Sequence, residues 1–424
     1  MKFCMVTTFF GAHSFGGDAA YVDRLARALC RRGHEVHVFH CADAFNAVRG
    51  KHPLRPYSPP PGLHVHRLES GLGILSPLAT QVTGRPVFKA DALRKALDAV
   101  DTDVVHFHNI SLVGGPGVLK MGKRAVRLMT AHEHWLICPM HLLWKFGKKP
   151  CDGPQCVRCS LAGGRPPQAW RYTGAIDRGL QELDALIFPS RHTLDEHRAR
   201  GIGAPMVHLP YFLPDDWSEG IEDHPPAVSG GRPYLAAAGR LVAMKGFQRL
   251  IPIMKYLPEV DLRIAGTGPY EPTLRTLAAG LPNVRFEGLL SGQELARLFQ
   301  GARAVVVPSL FPETFGYVVL EAFAVRTPVV VHKGGGALLE TGVESGGGLG
   351  YSTDAELLIA LRRIVHDEDL RDELADLGYT RRTGDWSEAA HIDRYLDLIR
   401  NVRSGRSATT PHQGVARRRD IASI

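Results

Sequence analysis

From Lys2 onward, short apolar runs alternate with stretches whose apolar positions recur every three or four residues. That is the pattern of strands interleaved with amphipathic helices. A strand running towards Phe10, a helix from about Asp18 that ends at Gly33, and the strand HEVHVFHC make a βαβ opening, with glycine suited to the end of the helix. LHVHRLES, DVVHFHNI, AVRLMTAHEH, ALIFPS and MVHLPYF read as further strands separated mostly by helical stretches, which predicts a mostly parallel sheet covered on both faces.

After Phe212 the pattern stops. LPDDWSEGIEDHPPAVSGGRP is rich in Pro, Gly and acidic residues and reads as a linker. A second alternation follows in PYLAAAGRL, VDLRIAGTG, NVRFEGLL, AVVVPS and TPVVVHK, and one intervening helix opens with Ser291 and Glu294 in capping-box spacing. The expected organisation is an N-terminal Rossmann-like domain over residues 1–212 with a cysteine-rich insert at 138–160, a linker at 213–232, and a C-terminal Rossmann-like domain over 233–385. A helix at 386–402 is expected to pack back towards the first domain, and a basic tail at 403–424 reads as disordered. The fold class is α/β, with two doubly wound halves facing a central cleft.

Length agrees, since 424 residues exceed one ordinary core and suit two. With 44% hydrophobic and 22% charged residues the composition is that of a folded protein. The N-terminus lacks a leader pattern and no apolar run is long enough to cross a bilayer, so a cytoplasmic enzyme is expected. A net charge of +8 favours anionic ligands or an anionic membrane surface, and a peripheral position on the inner face of a membrane fits the same charge. No nucleic-acid partner is expected.

Chemistry concentrates in VVVPSLFPETFGYVVLEAFAVRTPVVV, where a buried strand enters a loop carrying Glu313 and then a helix carrying Glu321. Ligands of α/β sheets bind beyond the carboxyl ends of strands. Glu313 can accept from sugar hydroxyls and Glu321 from a ribose diol, because a carboxylate offers several acceptor sites. Free N–H groups near Gly316 suit a phosphate. In GRLVAMKGFQRLI, Arg240 and Lys245 are placed to clamp a diphosphate. His106 and His108 would share one strand face, as would His132 and His134, and they read as satisfied polar residues more than as metal ligands. Asp101-Thr102-Asp103 precedes its strand and reads as a helix-to-strand turn.

Glu313 and Glu321 eight positions apart in PETFGYVVLEAFA, preceded by GR-x4-KG at Gly239 to Gly246, resemble the retaining family 4 glycosyltransferases of GT-B fold. Gly16-Gly17 before a helix, DVVHFHN and TAHEHW extend the resemblance to about residue 402. It implies transfer of a sugar from a nucleotide diphosphate donor, UDP-linked before GDP-linked, to a hydroxyl acceptor that is a small molecule, a glycan or a lipid-linked group. Configuration would be retained, with no catalytic metal or cofactor. The catalytic group would be Glu313, His132, Arg240 and Lys245, with His132 beside the transferred sugar. Donor contacts would come from Gly16, Gly17, Arg240, Lys245, Gly266, Gly268, Leu290, Glu313, Thr314, Phe315, Gly316, Tyr317 and Glu321, the base stacking near Gly266, Gly268 and Gly288 to Leu290. Acceptor contacts would come from His13, His108, Asn109 and His134. Arg326 and a long glycine run depart from the family pattern.

Of seven cysteines, Cys138, Cys151, Cys156 and Cys159 fall in one segment ending in CxxC, a set suited to structural zinc or to free thiols. Competing functions on the same scaffold are a phosphorylase, a nucleotide-sugar epimerase and a non-catalytic sugar-nucleotide binder. A dinucleotide oxidoreductase lacks its strand-linked GxGxxG.

Overall fold

The computed structural model describes residues 1–14, 16–50, 54, 56–221 and 231–406. Residues 222–230 of the expected linker and all but the first residues of the expected tail lie outside them. The strands of the first half are β1 (Lys2–Thr7), β2 (Glu35–Cys41), β3 (Leu63–Leu68), β4 (Val104–Phe107), β5 (Val126–Thr130), the short β6 (Trp144–Lys145) and β7 (Lys149–Pro150), β8 (Ala185–Phe188) and β9 (Met206–His208). Those of the second half are β10 (Tyr234–Ala238), β11 (Asp261–Ala265), β12 (Val284–Gly288), β13 (Val305–Val307), β14 (Val329–His332) and β15 (Gly348–Tyr351).

Two parallel sheets result, in the orders β3-β2-β1-β4-β5-β8-β9 and β12-β11-β10-β13-β14-β15, while β6 and β7 form a separate antiparallel hairpin. Helices cover both faces, which is why β13 is Val305-Val306-Val307 with every residue buried. In each sheet the order reverses between its first strand and the strand that follows the crossover, β1 beside β4 and β10 beside β13. Loops diverge at such a reversal and leave a crevice beyond the strand ends. Gly16-Gly17, His108-Asn109, Arg240 and the Ser309–Gly316 loop all follow these four strands.

The helix Glu388–Arg403 leaves the second half and packs on the first, against the helix Gly17–Arg31 and β5. It opens with Ser387 accepting from the Ala390 amide. It buries Ile392, Tyr395, Leu398 and Ile399, each worth about 1.5–3 kcal/mol of transfer from water. The Tyr395 hydroxyl bonds His106 Nδ1 at 3.0 Å, and the His391 ring bonds the Tyr21 hydroxyl at 3.1 Å and the Pro210 carbonyl at 2.7 Å. One apolar cluster therefore runs from β1 through both halves to this helix. Asp101 ends the helix Ala90–Val100 in a left-handed turn and Asp103 accepts from the Lys2 amide at 2.8 Å, so this acidic triplet is a turn.

Candidate active site

Lys245 and Glu313 come from different loops and meet. Lys245 ends the short turn Ala243–Lys245 after β10, and its Nζ lies 2.5 Å from Glu313 Oε1. Ser309, two residues past β13, donates to the same oxygen at 2.7 Å. The glycine run that departs from the family pattern lies under this loop: the Glu313 amide donates to Gly335 O at 3.1 Å, and the Ala337 amide donates to Glu313 O at 3.0 Å. With Oε1 engaged twice, Oε2 is the oxygen left to accept from an incoming hydroxyl.

The Lys245 loop can approach only because Gly246 has no side chain. Its φ is +77° and a Cβ there would stand 1.9 Å from the Pro308 carbonyl oxygen. The turn at Gly266 and Gly268 is held against the Arg240 loop in the same way, with Gly239 O and Leu241 O in the space a side chain would fill. Arg240 is exposed at the end of β10 and has no ion-pair partner among the described residues. Leu290 is partly buried just before the capped helix Gly292–Gln300, whose capping box of Ser291 and Glu294 is formed.

Glu321 lies on the helix Tyr317–Ala324, which begins after Gly316. Its partner is Arg24 of the helix Gly17–Arg31, 3.9 Å away, so the pair bridges the two halves. Burial raises the Glu321 carboxyl above the usual range and Arg24 offsets part of that. Arg24 also lies over the Tyr317 ring at 4.5 Å, and Gly17 faces the same ring. Arg326 pairs instead with Asp376, at 2.6 Å.

On the first half the histidines form a chain. His108 Nδ1 is 2.9 Å from His132 Nε2, and His132 Nδ1 is 2.5 Å from the Tyr211 hydroxyl. Burial lowers the His132 pKa to about 3, so the ring is neutral. Both ring nitrogens are engaged inside the protein, and the residue reaches the second half through its carbonyl oxygen, which accepts from Thr314 Oγ1 at 2.9 Å. His134 bonds the Pro312 carbonyl at 3.1 Å. Expecting His132 and His134 on one strand face is corrected here, because β5 stops at Thr130 and strand alternation ends with it. His13 packs by His40 and Phe45. Phe315 is buried against Tyr211.

Reasoning from sequence missed Arg24, Ser309, Asp18 and Tyr211. Asp18 follows Gly16-Gly17 directly and accepts from Asn109 Nδ2 at 2.9 Å. Burial, with Glu133 nearby, raises its pKa to about 6. An acid immediately after the glycine pair was the available signal.

The fold has solved counterparts. Sucrose-phosphate synthase of Thermosynechococcus elongatus superposes with a TM-score of 0.71 at 19% identity, over 95% of this chain and 99% of that one. HepE of Anabaena, solved with UDP-glucose, gives 0.66 at 16% identity over 95% and 100%. Residues 16–211 match the family described as glycosyl transferase 4-like domain, and residues 221–381 match glycosyl transferases group 1. The chain is a glycosyltransferase of the GT-B fold. Its two halves carry the domains of the family 4 type. The sulfoquinovosyl transferase SQD2 of Arabidopsis thaliana is 32% identical to this transferase over 294 residues, 64% of this chain and 51% of that protein. The chain thus spans about half the length of that relative. A D-inositol 3-phosphate glycosyltransferase of Pseudarthrobacter chlorophenolicus is 28% identical over 77% of this chain and 76% of its own. No helix among the described residues is long and apolar enough to cross a membrane.

Proposed function

We propose that the transferase is a retaining enzyme that moves a hexose from a UDP-sugar, with a GDP-sugar as second choice, to a hydroxyl acceptor without a catalytic metal. The observation that carries this reading is the meeting of Lys245, Glu313 and Ser309 at the strand reversal. A diphosphate draws Lys245 from Glu313 and adds Arg240, and the freed Glu313 carboxylate takes a sugar hydroxyl. As the sugar–phosphate bond breaks, the leaving phosphate accepts the acceptor proton on the same face, and the two cations stabilise its charge. Glu321, with Arg24 beside it, takes the ribose diol. HepE was solved with UDP-glucose, which supports the order of donors.

Melting temperature measured against UDP, GDP, ADP, NAD and their sugar conjugates tests the donor. A ligand at about 100 times its Kd adds about 2.7 kcal/mol to a folded state that alone binds it. A UDP- or GDP-sugar is expected to give such a shift, abolished in Arg240→Ala. A shift with NAD alone would sink the proposal, and product formed without any acceptor would favour an epimerase.

A cytoplasmic enzyme that works peripherally on an anionic membrane is the second part of the reading. The helix Leu75–Thr83 is turned inside out: Ser76, Thr80 and Gln81 are buried, whereas Leu75, Leu78 and Val82 face solvent at 55%, 41% and 49% exposure. Ile74 and Phe88 extend the patch at 64% and 49%. Apolar surface of this extent marks an interaction site, and the net +8 charge favours anionic lipid. The protein is expected to sediment with phosphatidylglycerol vesicles and to lose most of that binding in Ile74→Ser with Leu78→Ser. Recovery of the unaltered protein in the supernatant would refute the membrane reading.

A further inference from the structure

The insert after His134 contains chemistry that sugar transfer does not use. Cys138, Cys151, Cys156 and Cys159 line one small cavity together with Trp144 and Lys145. They arrive from three directions. Cys138 follows the turn His134–Leu136, and its amide donates to His134 O at 2.7 Å. Cys151 follows β7, its amide bonded to Leu143 O at 2.8 Å. Cys156 and Cys159 are the first and fourth residues of the helix Cys156–Ala162, one turn apart on the same face. All four are free thiols.

Three further observations point to a ligand inside this ring. The Phe146 amide, in the hairpin turn, donates to Cys159 Sγ at 3.3 Å, as amides do to thiolates that hold metals. His141, Leu143 and Phe146 adopt left-handed backbone at φ 72°, 50° and 53°, and each such residue costs about 1–3 kcal/mol, which surrounding structure must offset. Finally, two cations stand beside the sulfurs. Lys145 lines the cavity and Arg171, next to Cys138 and Cys156, is stacked between Trp135 and Trp170 and donates to Trp135 O and Leu136 O. Four thiolates around a divalent ion leave a double negative charge, which Arg171 offsets in part, while the Lys145 ammonium is shared with Asp152 at 2.6 Å.

We propose that Cys138, Cys151, Cys156 and Cys159 hold one structural zinc ion as a closed four-thiolate site, releasing their protons to solvent on binding. A second group, Glu35, His37 and His64, has its ligand atoms within 4.8 Å of one another, but Glu35 is already engaged by Lys2 and His37. No three of the four sulfurs lie within 4.8 Å of one another, so binding requires the insert to draw them together. Zinc fixes the segment from His132 to His141, which carries Glu133, bonded to His141 at 2.6 Å, and His134, bonded to Pro312. The metal thereby holds the acceptor side of the cleft. The assignment of the metal does not depend on the donor reading above.

The test is elemental analysis of the full chain purified without chelator. One equivalent of zinc is expected, released by a mercurial reagent in step with the titration of four thiols. Cobalt exchanged into the same protein should give the visible spectrum of tetrahedral thiolate coordination, and Cys156→Ser with Cys159→Ser should lose the zinc. That variant should keep the melting shift caused by UDP-sugar while its KM for acceptor rises. Iron in place of zinc, disulfides found by mass spectrometry, or metal-free protein with four alkylatable thiols would each overturn the proposal.

Discussion

Lys245→Ala is expected to lower turnover of a nucleotide-sugar donor by about 100- to 1,000-fold, the range for removing one preorganised charge from a transition state. In the resting protein Lys245 is matched to Glu313 at 2.5 Å, so under the proposed mechanism the cation already stands where the leaving diphosphate would gain charge. The variant loses that charge and leaves Glu313, largely buried, with Ser309 as its remaining side-chain partner. The loss should therefore fall on kcat as well as on donor affinity. Steady-state kinetics paired with donor calorimetry separates the two. A variant weakened only in KM would show that Lys245 holds ground state and transition state alike. Glu313→Gln keeps the shape and an acceptor oxygen, so a comparable loss there would show that its charge, and not only its hydrogen bonding, is used.

Gly246→Ala is expected to unfold or badly weaken the second half, by about 3–5 kcal/mol. Two effects coincide at this position. The added Cβ meets the Pro308 carbonyl at 1.9 Å, and φ is +77°. Because the obstacle is backbone, rotamer changes cannot relieve it, and separating the loops would pull Lys245 from Glu313. Gly280→Ala is the control, with φ +82° and nothing within 4 Å of the new carbon. It should cost only about 1 kcal/mol. A thermal melt of the two variants side by side decides the matter: equal losses would mean that the backbone angle alone, and not the close approach of the two loops, explains the requirement for glycine.

Local pattern made much of this architecture legible before any coordinates. Two series of apolar runs correspond to β1 to β5 with β8 and β9, and to β10 to β14, because strands buried on both faces are nearly continuous in Val, Ile and Leu. The capping box at Ser291 and Glu294 was readable because both its partners lie within one turn. What stayed hidden was either weakly patterned or non-local. β15 is Gly348-Leu349-Gly350-Tyr351, too short and glycine-rich to stand out, and it forms because β14 offers it an edge. The hairpin β6–β7 has two residues per strand. Spacing alone cannot say which side of the helix Leu75–Thr83 faces inward, and here the polar side does. The chain from His108 through His132 to Tyr211 joins three strand ends, and Arg24 meets Glu321 from almost 300 positions away. Both are products of tertiary packing.

The return of the final helix to the first half has a mechanical result. Among the described residues the chain crosses between the halves twice, and the crossings lie side by side: Arg382 donates to Pro214 O at 2.9 Å, and His391 bonds Pro210 O at 2.7 Å. Two adjacent straps act as a hinge pin. They permit a swing about their common line and resist twist and sideways slip, because either would shear these bonds. Were the halves to separate, the loop that carries Glu313 would leave and re-engage the first half along that path, breaking and remaking contacts that include Thr314 to His132 O, Thr193 to Thr314 O, His134 to Pro312 O and Phe315 on Tyr211. Alignment of the two faces after any such opening is thus built into the connectivity of the chain and need not be found anew.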